Sequence, residues 1–156
     1  MTELPKVLFV CTFKGGRSQI AEAYSKKKAS KIFEVRSACF DPGTIKKDFV
    51  EFVETLGLEI DTNSPPSVFD IAHEREIFDY VVCICSNVGT EMCAFFRANI
   101  EKIFLPKTKL LHWDLPDFRE CQGAEEGFSK CVQGICKRIE KHVDELAATI
   151  QNLAHS

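Results

Sequence analysis

VCTFKGGRS, residues 10–18, joins an apolar run to a segment of helical periodicity. The run before it, Lys6 to Cys11 (KVLFVC), is short and rich in β-branched residues, which predicts a strand buried on both faces. After it, Arg17 to Ser30 carries Ile20, Ala21, Ala23 and Tyr24 on or near one helical face, with a lysine run behind. A plain strand-to-helix turn needs a glycine or an aspartate. A thiol at one end and a guanidinium at the other are surplus to a turn, so this stretch bears on chemistry as well as on fold.

Read as chemistry, Thr12, Phe13, Lys14, Gly15, Gly16 and Arg17 predict a loop whose backbone amides turn inward to make a nest for an anion. Gly15 and Gly16 permit the positive φ angles such a nest needs. The helix that follows adds its positive end, and Arg17 supplies a planar fork matched to two oxygens of a tetrahedral oxyanion. Cys11 at the mouth is thereby expected to ionise well below about 8.5, and Ser18 can donate its hydroxyl to the sulfur. The predicted site is an oxyanion cradle with a nucleophile aimed at its centre. It is not a nucleotide P-loop, because the Gly-x4-Gly-Lys-Ser/Thr spacing is missing.

Outward from the loop, strand-like and helix-like segments alternate. Ile32 to Ala38 predicts a second strand, Ile45 to Leu56 a helix stopped by Gly57, and Ser67 to Phe78 a short helix. Tyr80 to Cys85 (YVVCIC) predicts a third strand and Lys109 to Trp113 a fourth. Ala124 to His155 predicts one long amphipathic helix with Phe128, Val132, Ile135, Ile139, Val143, Leu146, Ile150 and Leu153 as its stripe. This order predicts an α/β fold: a single domain over residues 1–156, built on a parallel sheet covered by helices on both faces. In such sheets ligands bind at the carboxyl ends of the strands, where Cys11 stands.

A length of 156 residues suits one domain with a real core. The formal charge of −3 gives no general affinity for nucleic acid or anionic lipid. No apolar stretch approaches membrane-spanning length and no signal-peptide pattern opens the chain, which predicts a cytoplasmic protein. Eight cysteines fall at irregular spacing with no CxxC pair, so neither a disulfide framework nor a structural zinc site is expected. Several of these thiols, Cys131 among them, read as small buried hydrophobes. No metal and no cofactor is predicted.

VLFVCTFKGGRSQIAEA resembles the N-terminal signature of the low-molecular-weight protein tyrosine phosphatase superfamily, which includes the thioredoxin-coupled arsenate reductases. The likeness continues in RSA at 36–38, in residues 57–61, in DYVVCIC at 79–85 and in HWDLPDF at 112–118. It implies a four-stranded parallel sheet flanked by helices. Three positions depart from it: Phe13-Lys14 stands where the family commonly has Gly-Asn, and Phe118 replaces a usual proline after the acid, which predicts a looser loop there.

A thiolate attacking a phosphate ester needs a proton donor for the leaving oxygen. The resemblance assigns that role to Asp117, with Asp114 second; His112 and Trp113 read as packing residues at a strand end. It also matches Cys85 to the reductases' second cysteine and places Cys93 close to their third; a relay between the thiols needs the segment to move, which Gly89 between them permits. The phosphatases' aspartate near position 85, and their tyrosine pair after the acid, are missing. The implied function is arsenate reduction through Cys11 and a Cys85/Cys93 relay, with arsenate or phosphate as the bound oxyanion and thioredoxin as the partner. Two alternatives are hydrolysis of a phosphoprotein or other phosphomonoester through a cysteinyl-phosphate, and a binding module that keeps the cradle without turnover.

Overall fold

Four parallel strands form one sheet in the order β2-β1-β3-β4: β1 is Lys6–Phe13, β2 Glu34–Asp41, β3 Tyr80–Cys85 and β4 Lys109–Asp114. The structure is a computed structural model that describes residues 3–13, 16–41, 43, 46–60, 66–86, 92–104 and 106–154, with only the backbone of Phe13. Its helices are α1 (Gly16–Lys28), α2 (Lys47–Thr55), α3 (Val68–His73), α4 (Cys93–Phe104) and α5 (Phe128–Ala154), with a 3-10 turn over Phe118–Cys121. Among the described residues no helix is long and apolar enough to cross a membrane.

Alternation along β1 and β3 divides the core in two. Val7, Phe9 and Cys11 with Val82 and Ile84 face α1, α2 and α5, meeting Ile20, Val53, Ile139 and Val143. Leu8 and Val10 with Val81, Cys83 and Cys85 face α3 and α4, meeting Ile71, Phe96 and Ile100. Both faces of the central strands are thus apolar, the reason these runs read as continuous rather than alternating. At the far end of α1, Lys28 reaches Asp144 at 2.9 Å and Glu140 at 3.2 Å on α5.

Several boundaries move from the periodicity reading, each for a local reason. β2 starts at Glu34 rather than Ile32 because Ile32 and Phe33 still donate their amides to Ala29, closing the turn after α1, and the ladder opens with the Glu34 amide on the Pro5 carbonyl at 2.9 Å. α3 is capped by Ser67, whose hydroxyl accepts from the Phe69 amide at 3.1 Å. It ends at His73 instead of Phe78, and Arg75 then takes the left-handed conformation with φ 57°. α5 begins at Phe128 instead of Ala124, after Gly123 (φ 73°) and Gly127 (φ 94°) have turned the chain through the left-handed region. α4 was not predicted; it buries Cys93, Phe96 and Ile100 on one side while Phe95 on the other is exposed.

β1 is the pivot of the sheet. The chain leaves it to one side for β2, then crosses to the other for β3, so the crevice at the carboxyl ends of β1 and β3 is the topological switch point.

Candidate active site

Cys11 lies in the last turns of β1, fully buried, with Ile84 on one side and Cys39 on the other as its strand partners. α1 begins five residues on and brings Arg17 and Ser18 beneath it, both buried. The Ser18 hydroxyl is 3.2 Å from the Cys11 sulfur. The Cys39 thiol, one strand over on the same face, hydrogen-bonds to Cys11. Burial by itself pushes the Cys11 thiol up. The Cys39 hydrogen bond, the Arg17 charge, and the Ser18 hydroxyl and amide outweigh it and bring the value down to about 6. Burial without such partners does the reverse at Cys83 and Cys136, each raised to about 12. Of these three buried thiols, Cys11 is therefore the one held toward its thiolate form at neutral pH.

Arg17 is 1 % exposed and ties the loop to the far end of the chain. Its Nη1 donates to the Leu115 carbonyl at 2.9 Å and its Nη2 to the Thr12 hydroxyl at 2.9 Å. The same Nη2 is 3.6 Å from Asp117 Oδ2. A buried guanidinium is tolerated only with its protons engaged, and these acceptors meet that demand. Gly16, the first residue of α1, supplies room: a Cβ there would come within 3.2 Å of the Phe118 ring. Lys14, Gly15 and the Phe13 side chain lie outside the described residues, as does Gly89.

Asp117 caps the 3-10 turn, its Oδ1 accepting from the Arg119 amide and its Oδ2 from Arg119 Nε, both at 3.0 Å. Asp114 is exposed at the end of β4, where its carbonyl accepts from Arg138. The Asp117 carboxylate stands beside Arg17. Phe118, which stands where the resemblance expects a proline, is buried, with its ring centroid 4.7 Å from that of Phe49. A disulfide between Cys121 and Cys131 ties the end of the same loop to the first turn of α5. Cys131, read from sequence as a core thiol, is thus half of a cross-link.

Cys85, the last residue of β3, and Cys93, the first of α4, form a second disulfide with Cα atoms 5.7 Å apart. His112 of β4, taken from sequence as packing, places Nε2 3.4 Å from each of these sulfurs and 3.2 Å from the Cys85 carbonyl. Cys39 and His112 are the two site residues the sequence reading passed over. Only strand register could have found them: Cys39 is opposite Cys11, and His112 is opposite Cys83.

A sequence profile of the low molecular weight phosphotyrosine protein phosphatase family matches residues 6–154. The chain belongs to this family. Proteins it resembles include an arsenate reductase of Bacillus subtilis, 25% identical over 144 residues, 92% of this chain and 95% of that protein. Among solved structures, a thioredoxin-dependent arsenate reductase of Corynebacterium glutamicum is 27% identical with a TM-score of 0.60, covering 96% of this chain and 63% of that one. An arsenate reductase in its oxidized state gives a TM-score of 0.69 at 21% identity, covering 94% of this chain and 99% of that one. The low-molecular-weight phosphatase fold expected from the sequence is therefore the fold of this chain.

Proposed function

We propose that the chain is a thioredoxin-coupled arsenate reductase, using Cys11 as nucleophile and Cys85 and Cys93 as a thiol relay. The observation that carries this reading is the Cys85–Cys93 disulfide, formed at the end of the strand that pairs with the strand of Cys11. The Cys11 thiolate attacks arsenic and displaces water, while Arg17 and Ser18 hold the oxyanion and the sulfur. Cys85 then attacks the Cys11 sulfur. The S–As bond breaks with its electron pair passing to arsenic, which leaves as arsenite, and a Cys11–Cys85 disulfide forms. Cys93 attacks Cys85, Cys11 departs as its stabilised thiolate, and the Cys85–Cys93 disulfide results. His112 Nε2 stands where it can accept the proton of either attacking thiol. A thioredoxin dithiol would reduce the final disulfide.

A second reading is favoured by one contact. Asp117 beside Arg17 is the arrangement a phosphomonoesterase needs, with an acid held at the edge of an oxyanion site. Two assays separate the readings. The reductase oxidises NADPH in the presence of arsenate, thioredoxin and thioredoxin reductase, and that activity vanishes in Cys85→Ser and in Cys93→Ser. Hydrolysis of p-nitrophenyl phosphate that survives both substitutions, without arsenate-dependent NADPH loss, would establish the phosphatase instead. Anion binding without either turnover would leave only the binding module.

A further inference from the structure

The geometry points to a second, redox-gated function for the relay thiols: when reduced, Cys85, Cys93 and His112 form a binding site for a zinc-class divalent cation. This inference does not require the reductase reading. Their donor atoms, two sulfurs and one imidazole nitrogen, all lie within 4.8 Å of one another. Tetrahedral zinc, with bonds of about 2.3 Å to sulfur and about 2.0 Å to nitrogen, separates a sulfur from a nitrogen ligand by about 3.5 Å. Both sulfur-to-Nε2 distances here are 3.4 Å. Two edges of the coordination triangle are therefore in place in the folded protein. The third, sulfur to sulfur, needs about 3.7 Å on the same geometry, which reduction of the disulfide allows while the Cα atoms stay near 5.7 Å.

The three donors arrive on three different elements: the end of β3, the start of α4, and the middle of β4. The strands are hydrogen-bonded neighbours, so the ring and the Cys85 sulfur are fixed relative to each other by the sheet ladder. Cys93 stands at the first position of the twelve-residue helix α4, which sets its Cα relative to the sheet. Two thiolates and an imidazole are a borderline-soft set that suits zinc, leaving a fourth position for water. Binding exchanges two thiol protons for the metal. The disulfide offers no thiolate, so cation and disulfide are alternative states of the same pair. The absence of a CxxC motif hid the site, because its ligands sit 8 and 19 residues apart.

The test uses the full chain, reduced and anaerobic, with cobalt(II) and zinc(II) as probes. Cobalt titrated into Cys11→Ser protein is expected to give a thiolate-to-metal charge-transfer band that saturates at one equivalent and is displaced by zinc. The band should vanish in Cys85→Ser and Cys93→Ser. His112→Gln should weaken binding by at least about 10–100-fold, the loss that even an outer-shell partner produces. Oxidation to the Cys85–Cys93 disulfide should abolish binding. Alkylation mapping of the unsubstituted reduced protein gives a readout independent of variant folding: zinc is expected to protect Cys85 and Cys93. No charge-transfer band, a band that persists after oxidation or in the serine variants, or zinc protection confined to other cysteines would overturn the assignment.

Discussion

Cys11 and Cys85 stand near the carboxyl ends of adjacent strands and face opposite sides of the sheet. Cys11 packs with the α1 and α5 core, Cys85 with the α3 and α4 core. A thiol relay between them therefore requires the end of β3 to turn. Cys93→Ser, which removes the thiol that resolves the first disulfide, is expected to trap a Cys11–Cys85 bond after one equivalent of arsenite has formed. Peptide mapping reads the bond, and hydrogen exchange at residues 83–86 should be faster in that species than in the Cys85–Cys93 form. Repeated turnover by Cys93→Ser would end the relay.

The pH dependence follows from Cys11. Its thiolate is the attacking form and its value is about 6, so kcat/KM should climb as pH rises through about 6 and then level. Cys39→Ala removes a donor that lowers the value, and the midpoint should move upward; Cys39→Ser keeps a donor and should move it less. Ultraviolet absorbance of the thiolate follows both. An unfolded thiol ionises at about 8.5. The lowered value in the fold thus contributes stability that is complete above that pH and is lost as pH falls through about 6.

If Asp117 protonates the leaving oxygen, Asp117→Asn should slow hydrolysis of phenyl phosphate by about 10²-fold or more. p-Nitrophenyl phosphate, whose leaving group needs less protonation, should lose less. Asp114→Asn should lose far less with either ester, since it is the Asp117 carboxylate that stands 3.6 Å from Arg17. Equal losses for both esters would show that Asp117 acts only by holding the loop.

The Cys121–Cys131 bond closes a short loop of sequence separation 10. Chain-entropy reasoning gives it about 2–3 kcal/mol. Under oxidising conditions Cys131→Ser should therefore melt several degrees below the unsubstituted protein. In dithiothreitol the two should melt together, with calorimetry as the measurement. A difference that survives reduction would mean that packing, not the cross-link, sets the loss.

Much of this was legible from local pattern. The strand β3 runs over Tyr80–Cys85 as its apolar run indicates, and the stripe of α5 is buried at Val132, Ile135, Ile139, Val143, Leu146 and Ile150. Gly57 ends α2 with φ 82°. What sequence left out depends on pairings between distant segments. The Cys39 thiol beside Cys11, the His112 ring between two sulfurs and the Cys121–Cys131 bond each arise from register or loop closure, which no single window contains. The packing of Phe118 is of the same kind: it meets Gly16 and Phe49 only once the chain is closed.

Arg17 joins residues that synthesis makes far apart, since its guanidinium rests on the carbonyl of Leu115, 98 positions later. A nascent chain emerging from the ribosome would carry its nucleophile almost from the outset, with the fork that aims it still unanchored. Reactivity should accordingly arrive late in translation, once β4 has been delivered, and a prematurely terminated polypeptide would expose a thiol with no chemistry to perform.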